Sequence, residues 1–372
     1  MGLADRIIAW QIVHGRHDLP WQNTRDPYRV WLSEIILQQT QVSAVIEYYQ
    51  RFLKHFPDVA SLAQAPAEAV MAQWAGLGYY ARARNLHACS QRVVNEWHGS
   101  FPKDAAGLAT LPGIGPSTAA AIAAFCYGER AAILDGNVKR VFARYFAIDG
   151  DPTQRATEVQ LWTLARASLP SAKACERNPE AMARYTQGQM DLGATICTRS
   201  RPKCEACPLQ KQCLARRTAR TEELPWPRQR KVLPERSTGM LIAYRDQHVF
   251  LEHRSESGIW GGLWSLPEFD AKATPDQACQ ILGVIPSETK VLASFVHVFT
   301  HYRLTIKPVL ALIQPHALAI NKESMANAIE KKVATPKAAV RRWIAIEKLP
   351  ELGLPAPVRK LLFGLLADQV LK

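Results

Sequence analysis

Four cysteines near the middle of the chain constrain its fold more strongly than any other feature. They are separated by six, two and five residues, at positions Cys197, Cys204, Cys207 and Cys213. Four thiolates within seventeen residues suit one metal centre, which would hold this segment in a compact loop. Zinc sites normally have two paired Cys-x2-Cys or Cys/His halves, whereas this segment has only one such pair. A reducing cell interior disfavours a disulfide, so a metal centre is predicted. The single Cys-x2-Cys pair disfavours zinc as the metal.

The chain is strongly basic, with a formal net charge of +13 at pH 7 and a pI of about 9.5. This favours a polyanionic partner, nucleic acid first, although composition alone is equally compatible with a merely basic protein. Cationic side chains also surround the cysteines and would present charge to DNA, at Arg199, Arg201, Lys203 and Lys211. No apolar run approaches the ~20 residues of a membrane span, and the N-terminus lacks a signal-peptide layout. We therefore expect a cytoplasmic protein without a membrane partner.

Length and apolar spacing predict a multidomain protein. The 372 residues allow two or three domains of roughly 100–200 residues each. Residues 1–200 have apolar positions at helical spacing and no period-two alternation, which predicts an all-α region. Residues 215–236 are rich in Arg, Lys and Pro and are predicted to be a linker, after which the pattern predicts a mixed α/β domain. Its expected strands are 240–244, 249–251, 294–299, 302–307, 309–313 and 342–346, and its expected helices lie near 275–282 and 355–367.

A tight glycine turn is predicted between two helices at residues 111–116. Gly113 and Gly115 permit positive φ or very close approach of another backbone, and Pro116 suits the first turn of a helix. The N–H groups at such a helix start can hold a DNA phosphate without reading sequence. A bare Gly-x-Gly is equally typical of an ordinary helix–helix turn. The full LPGIG motif before a small-residue helix resembles the helix-hairpin-helix of DNA repair proteins.

Two carboxylates stand out by their sequence context. Glu34 has apolar neighbours on both sides, which predicts a raised pKa suited to a general acid. Asp135 precedes a predicted helix at 137–146, whose N-terminus would keep the aspartate ionised. Each carboxylate also has an ordinary interpretation. Glu34 would lie on the polar face of an amphipathic helix, and Asp135 would be an N-cap. A protonated acid paired with a charged carboxylate is the arrangement that cleaves glycosidic bonds, including the N-glycosidic bond of a nucleotide.

Longer motifs identify a family. The chain resembles the MutY-type adenine DNA glycosylases of the endonuclease III-like superfamily over nearly its whole length. The matching segments are LPW (19–21), WLSEIILQQTQV (31–42), GLGYYARARNL (76–86), LPGIGPSTAAAI (111–122), ILDGNVKR (133–140), MDLGATICTRSRPKC (190–204) and GIWGGLWSLPEF (258–269).

The resemblance implies the domain organisation and the cofactor. It implies an all-α catalytic region at 1–214, with a helix-hairpin-helix part at about 22–132 and an iron–sulfur part made of 1–21 and 133–214. One [4Fe-4S] cluster would be held by the four cysteines. Residues 237–372 would form a Nudix-like lesion-recognition domain. The segment after Gly262 lacks the glutamate cluster of a true Nudix hydrolase, so recognition without phosphohydrolase chemistry is expected.

The resemblance also implies roles for individual residues. Glu34 would protonate adenine at N7, Asp135 would stabilise or transiently bond the sugar cation, and Asn137 would help to position Asp135 and water. The adenine pocket would include Leu19, Trp21 and Gln187. Contacts to DNA or to the lesion would come from Gln39, Thr40, Tyr79, Tyr80, Gly113, Gly115, Ser117, Lys139, Phe299, Thr300 and His301. The last three residues replace the family's Phe-Ser-His loop, so threonine keeps the hydroxyl and adds a methyl group.

The implied activity is hydrolytic removal of adenine mispaired with 8-oxoguanine or guanine in duplex DNA, by a monomer in the cytoplasm, or at the nucleoid in a bacterium. Extruding the base from the stack is required, because the duplex hides its reactive atoms. A bifunctional glycosylase/lyase for oxidised thymine is a rival, but Ser117 stands where such enzymes carry a Schiff-base lysine. A non-enzymatic iron–sulfur DNA-binding protein is a second rival, and the Glu34/Asp135 pair argues against it.

Overall fold

A computed structural model of the protein describes residues 2–40, 42–228, 232–256, 258–281, 283, 285–313 and 340–371. The chain divides into two compact units, one made of Met1–Gln64 with Asn85–Arg230 and one made of Ala65–Arg84 with Lys231–Lys372. Residues 65–84 therefore cluster with the C-terminal residues, whereas the sequence-based division assigned them to the helical region. None of the described helices is long and apolar enough to cross a membrane.

The N-terminal 217 residues are helical wherever the structure describes regular elements. The helices are α1 (Leu3–His14), α2 (Pro27–Leu37), α3 (Val42–His55), α4 (Val59–Gln64), α5 (Ala67–Trp74), α6 (Ala81–Trp97), α7 (Ala105–Leu108), α8 (Pro116–Tyr127), α9 (Gly136–Tyr145), α10 (Arg155–Ala167), α11 (Ala172–Arg177), α12 (Ala181–Asp191) and α13 (Leu214–Arg217). A π-helical turn follows α12 at Leu192–Ile196, and a 3-10 turn lies at Cys204–Ala206. The predicted all-α character of this region is confirmed.

Local sequence explains where α2 begins and ends. Asp26 is its N-cap and accepts a hydrogen bond from the Tyr28 N–H at 3.0 Å, while Pro27 occupies the first turn. Apolar residues continue at helical spacing beyond Leu37, but α2 ends there. Gln39 there adopts a φ of 57°, a left-handed conformation that a helix cannot contain. The break separates α2 from α3, and Gln38 and Gln39 lie in a turn.

The core of the first unit brings α1, α8, α9 and α12 together. Ile7, Phe142 and Tyr185 are almost fully buried in one apolar cluster. Gly188 lets α1 and α12 approach closely, because a Cβ at this position would lie 2.7 Å from Ile7 Cγ2. Gly193 likewise brings the π-helical turn against the start of α9, since its Cβ would lie 2.5 Å from that of Asn137. These two close approaches position the candidate catalytic residues relative to the cysteine segment.

The second unit is built on one mixed sheet. Its strands are β1 (Glu235–Arg245), β2 (His248–His253), β3 (Trp264–Ser265), β4 (Glu268–Phe269), β5 (Pro286–Val291), β6 (Phe295–Val298), β7 (Arg303–Ile313) and β8 (Val340–Ala345). The order is β3-β2-β1-β7-β5, with β4 on β1, β6 on β7 and β8 on β2. The β1–β7 pair is parallel and the other pairs are antiparallel. Helices α14 (Pro275–Ile281) and α15 (Ala356–Ala367) and a 3-10 turn (Ile346–Glu351) complete the described part.

One strand is longer than the sequence predicted. Residues 302–307 and 309–313 were expected to form two strands interrupted by Pro308, but the structure joins them in β7. Pro308 lies between the part of β7 that pairs with β6, up to Ile306, and the part that pairs with β5, from Val309. Neither antiparallel ladder needs the missing proline N–H, so the strand continues through this residue.

Residues 65–84 pack on the C-terminal part through close backbone contacts. A Cβ at Gly353 would lie 3.2 Å from the Met71 carbonyl carbon, so the missing side chain favours the close approach of α5. The Tyr80 hydroxyl donates to the Leu354 carbonyl at 3.3 Å. Nη1 of Arg84 donates to the Gly261 carbonyl at 2.9 Å. These contacts are long-range in sequence, and hydropathy patterning contains no signal for them.

Candidate active site

Glu34 lies on α2 among buried neighbours. Ser33, Ile35 and Ile36 on the same helix are buried in the first unit. Burial of the carboxyl, followed by the nearby charge of Asp135, raises the pKa of Glu34 to about 8. Glu34 is therefore mostly protonated at neutral pH, as the sequence context predicted for a general acid. The electrostatic effect of Asp135 also shows that folding brings these two carboxyls together.

Asp135 is held at the N-terminus of α9 by two hydrogen bonds to its carboxylate, and a third bond fixes the residue before it. Its Oδ1 accepts from the Val138 N–H at 2.8 Å, and its Oδ2 accepts from the Asn137 amide at 3.3 Å. The preceding Leu134 N–H donates to Ser117 Oγ at 2.9 Å. Asp135 is thus an N-cap and a fixed member of the Glu34 pair at once, so the two sequence interpretations are compatible.

The electrostatics of Asp135 differ from the sequence expectation. A helix N-terminus was expected to keep the pKa of this aspartate low, but burial raises it above the ordinary value. The hydrogen bonds from Val138 and Asn137 and the nearby Arg140 guanidinium oppose that rise. Desolvation is the largest effect because the carboxyl lies inside the unit rather than on an open helix end.

Arg140 connects this site to the cysteine segment. Its Nη2 donates to Asn137 Oδ1 at 2.8 Å and to the Gly193 carbonyl at 2.6 Å. Its Nε donates to the Cys197 carbonyl at 2.7 Å. The Asn137 side chain is therefore fixed with its nitrogen toward Asp135 and its oxygen toward Arg140.

A cavity of about 390 Å³ opens beside Glu34 in the first unit. It is within the size range of pockets that bind small ligands. Its lining includes Glu34 and all three residues predicted for the adenine pocket, Leu19, Trp21 and Gln187. Leu19 and Trp21 are buried and provide apolar surface.

A buried ion pair orients one wall of this cavity. Gln187 Nε2 donates to Asp191 Oδ1 at 2.8 Å, so the amide oxygen of Gln187 points away from Asp191. Arg16 Nε donates to the same Oδ1 at 2.7 Å, and the Arg16 N–H donates to Oδ2 at 3.0 Å. The side chain of Asp191 is 1% exposed, so its full hydrogen bonding compensates the cost of burying the charge. The sequence did not single out Arg16 or Asp191.

The helix-hairpin-helix turn has two different glycines. Gly113 has a φ of 77°, and a Cβ there would lie 2.8 Å from the Cβ of Asn85. Gly115 has an ordinary φ of −82° and is the N-cap of α8, with no side-chain cap hydrogen bond. A Cβ at Gly115 would meet no atom within 4 Å. Positive φ is thus required only at Gly113, while Gly115 leaves the N–H groups of α8 accessible to a ligand backbone.

The predicted DNA-contacting residues are in different environments. Gln39 and Tyr79 are exposed and have left-handed φ values of 57° and 49°, which non-glycine residues rarely adopt. Thr40 is half-buried, and its hydroxyl donates to the Gln38 carbonyl at 3.3 Å. Tyr80 is buried, and this position does not suit a direct contact with DNA. Lys139 Nζ is 2.6 Å from Glu158 Oε1 in an ion pair.

The predicted lesion loop is the tip of a hairpin in the second unit. Val298 of β6 pairs with Arg303 of β7, and the Phe299 N–H donates to the Tyr302 carbonyl at 2.9 Å. Thr300 and His301 are therefore the two central residues of a tight turn, and both are exposed. The structure places their side chains where they can meet a ligand.

The four cysteines line one small cavity in the first unit. Burial, followed by the neighbouring thiols of the other three cysteines, raises the pKa of Cys207 to about 12. Among the described residues, no group of three or more His, Cys, Asp or Glu side chains is arranged to hold one metal ion.

Arg144 supports the cysteine segment from α9. Its guanidinium is almost fully buried and donates to the Thr198 carbonyl at 2.7 Å, the Arg199 carbonyl at 3.1 Å and the Leu224 carbonyl at 2.7 Å. Nη1 also lies 3.4 Å from the Cys197 sulfur. Sequence reasoning missed Arg140 and Arg144, although their spacing of four residues on a predicted helix placed both on the face next to Asp135.

Comparison with known proteins agrees with this arrangement. The profile of the HhH-GPD superfamily base excision DNA repair proteins matches residues 32–167, and the NUDIX domain profile matches residues 238–363. The adenine DNA glycosylase of Buchnera aphidicola subsp. Acyrthosiphon pisum (strain APS) is 33% identical over 356 residues, which cover 96% of this chain and 95% of that protein. The adenine DNA glycosylase of Homo sapiens is 30% identical over 417 residues, which cover 95% of this chain and 72% of that protein.

A solved structure is similar to the helical part. It is that of a thermostable thymine-DNA glycosylase, with a TM-score of 0.51 and 29% identity, covering 58% of this chain and 95% of that one. The predicted fold class, a helix-hairpin-helix core followed by a Nudix-like domain, is confirmed by these matches. With the full-length relatives, they show that the chain belongs to the adenine DNA glycosylase family.

Proposed function

We propose that this enzyme removes adenine opposite 8-oxoguanine or guanine in duplex DNA and leaves an abasic site. One observation carries the mechanism: a glutamate that is protonated at neutral pH lines a base-sized cavity and lies close to a fixed aspartate. Leu19 and Trp21 supply apolar walls for the flipped base, and Gln187 supplies a polar group. Membership of the adenine DNA glycosylase family supports the choice of base.

Glu34 and Asp135 divide the chemistry between them. The Glu34 carboxyl donates its proton to adenine N7 as the C1′–N9 bond breaks, so that adenine departs without negative charge. Asp135 stabilises the positive charge that develops on the sugar, and its orientation is set by Val138 and Asn137. Water then adds to C1′ and gives its proton to the Glu34 carboxylate, which completes the hydrolysis and restores the acid.

The reaction is expected to stop at the abasic site, because neither Ser117 nor Lys139 offers it a free amine. Ser117 occupies the position of the lyase lysine, and its hydroxyl accepts the Leu134 N–H. A hydroxyl cannot form a Schiff base. Lys139, one turn after Asp135 on α9, is paired with Glu158. This supports a monofunctional glycosylase rather than a glycosylase/lyase.

The DNA-recognition residues divide into three groups. Gly113 and Gly115 hold a phosphate at the start of α8, with Ser117 and Lys139 close to the Asp135 site. Gln39, Thr40 and Tyr79 fill and wedge the duplex, which the exposed left-handed conformations of Gln39 and Tyr79 support. Phe299, Thr300 and His301 detect the base opposite adenine from the tip of the β6–β7 hairpin. For Tyr80 we propose a supporting role through its contact with Leu354.

We propose one [4Fe-4S] cluster on Cys197, Cys204, Cys207 and Cys213. Their shared cavity and the guanidinium beside the Cys197 sulfur support this. When bound, the cluster would crosslink this loop and could exchange electrons. The chain's own Arg140 and Arg144 hold the loop against α9 independently of any chemistry on the metal. We further propose that the enzyme acts as a monomer in the compartment that contains the DNA, which is the nucleoid in a bacterium.

The direct test measures free adenine released from defined duplexes by chromatography. We expect release from A:8-oxoguanine and A:G and none from A:T, and no thymine or guanine from control mispairs. A further duplex that contains oxidised thymine tests the lyase alternative, which release of that base with no release of adenine would support. Tight binding without release of any base would support the non-enzymatic alternative.

A further inference from the structure

Two predicted DNA-contacting features belong to the same compact unit: the wedge residue Tyr79 and the lesion loop Phe299–His301. Tyr79 precedes α6 in the segment 65–84, and Phe299 lies at the tip of the β6–β7 hairpin. These segments are more than two hundred residues apart in the chain. Their relative position therefore depends on tertiary contacts within this unit, and side chains that make those contacts can determine how the opposite base is recognised.

Arg84 provides such a contact from the first turn of α6. Its Nη1 donates to the Gly261 carbonyl at 2.9 Å, and its side chain is half-buried. Gly261 is at a position where only glycine fits, because a Cβ would lie 2.3 Å from the Glu256 carbonyl oxygen. The carbonyl that Arg84 binds thus belongs to a tightly constrained turn, and the position of that turn is coupled to α6.

The residue before Gly261 touches the lesion loop. Trp260 is buried and has a left-handed φ of 57°, and its ring lies 5.4 Å from that of Phe299 and 5.9 Å from that of His297. Phe299 in turn stacks on Tyr302 with ring centroids 4.6 Å apart. The turn at 258–262 therefore places a buried tryptophan ring beside Phe299.

The same segment fixes Tyr79 on the other side. The Arg82 N–H donates to the Tyr79 carbonyl at 2.8 Å, two residues before Arg84. The Arg82 guanidinium lies 5.5 Å from the Tyr79 ring and 5.3 Å from the Trp74 ring. A continuous set of contacts therefore runs from Tyr79 through the first turn of α6 and Arg84 to Gly261, Trp260 and Phe299.

We infer that Arg84 is a positioning residue for recognition of the opposite base, which sets the Phe299–His301 loop relative to the wedge Tyr79. This inference rests on the proposed function, because it concerns the preference for 8-oxoguanine over guanine. Arg84 is not among the residues that line the cavity beside Glu34. We expect its loss to lower the rate with 8-oxoguanine more than the rate with guanine, because the inferred role concerns recognition of the opposite base and not the removal of adenine.

The test compares single-turnover adenine release from A:8-oxoguanine and from A:G for the wild type and Arg84→Ala. We expect the ratio of the two rate constants to fall about tenfold, which corresponds to about 1.4 kcal/mol. Arg84→Lys keeps the positive charge but not the geometry of the guanidinium, and we expect only partial rescue. Arg130→Ala is the matched control, because Arg130 Nε also donates to a backbone carbonyl, that of Pro170 at 2.6 Å, in the other unit. Its ratio should equal that of the wild type.

A double-mutant cycle locates the effect. If Arg84 acts through the loop, the losses of Arg84→Ala and Phe299→Ala are not additive in the double variant. Should Arg84→Ala fold poorly, Trp260→Leu tests the same contacts and is expected to lower the ratio similarly, while Trp260→Phe retains it.

The outcomes distinguish failure of the proposed function from failure of the positioning role of Arg84. Wild-type enzyme that releases no adenine would refute the proposed function itself. Wild-type enzyme with a clear preference, combined with an unchanged ratio in Arg84→Ala or in Trp260→Leu, would overturn the positioning role alone. Equal losses on both duplexes that Arg84→Lys restores in full would show a simple phosphate contact and would also overturn it.

Discussion

Glu34 should control the alkaline side of the pH–rate profile. Its pKa is raised to about 8, so the acid is protonated below that pH and adenine release should fall as pH rises through about 8. Asp135 must be ionised to stabilise the sugar cation, and its raised pKa predicts an acid limb above pH 3.8. Single-turnover rates across pH would therefore form a bell.

A glutamine at position 34 removes the titrating acid. We expect Glu34→Gln to lower the rate by about 100-fold or more, since general acid catalysis typically contributes 10²–10⁴-fold. The remaining activity should lack the alkaline limb. An alkaline limb near pH 8 that persists in this variant would assign the limb to another group.

Ser117 should determine whether the strand is cut. Ser117→Lys puts an amine next to Leu134 and Asp135, where the Ser117 hydroxyl now accepts a backbone N–H. We expect borohydride to trap a covalent complex with abasic DNA, and some strand cleavage without alkali. The comparison is Ser117→Met, of similar length without the amine. Equal trapping in both variants would point to Lys139 as the amine.

The helix-hairpin-helix turn allows a paired prediction about a single element. Gly113→Ala introduces a side chain at a φ of 77° and against Asn85, so it should lower stability by about 1–3 kcal/mol. Gly115→Ala has an ordinary φ and open space, so its melting temperature should change little, apart from a small N-cap effect.

Gly115→Ala, which should barely change folding, is expected to change DNA binding. Gly115→Ala covers the start of α8 and should weaken duplex binding several-fold in a filter or anisotropy titration, even though the protein remains folded. Unchanged affinity in this variant would show that the phosphate does not approach the chain at this turn.

Local sequence signals predict most helices of the catalytic part and some of their starts, but not the interruption after α2. The Asp26–Pro27 start of α2 and the Asp135 cap of α9 have recognisable sequence signatures. The interruption at Gln39 has no such signature, because a strained left-handed residue is stabilised by its surroundings. Likewise Pro308 suggested a strand break, but the pairing of β7 on either side of it leaves its missing N–H without consequence.

The candidate site could be predicted only in part for the same reason. Glu34 and Asp135 were found by their apolar neighbours and by family motifs, but their proximity, a hundred residues apart, is a tertiary property. The expectation of a low pKa for Asp135 failed because helix position is visible in sequence and burial is not. Arg84 contacts Gly261 and Arg16 contacts Asp191, and both pairs are more than a hundred residues apart in the chain. A single sequence contains no signal for such pairs.

At the scale of the whole molecule, the net charge of +13 predicts strong salt dependence. Binding to phosphates releases counterions, so the logarithm of the binding constant should fall linearly with the logarithm of salt concentration. The slope should be the same for A:T and A:8-oxoguanine duplexes, because the backbone contacts are shared. A slope near zero for either duplex would contradict a mainly electrostatic contact with DNA.

The most direct test of the account follows the fate of an end-labelled A:8-oxoguanine duplex with the wild type and Asp135→Asn, with and without alkali. We predict that the wild type yields strand cuts only after alkali, and that Asp135→Asn yields none while it still binds the duplex. Cuts by the wild type without alkali would contradict the monofunctional mechanism. Normal turnover by Asp135→Asn would contradict the Glu34–Asp135 pair as the catalytic centre.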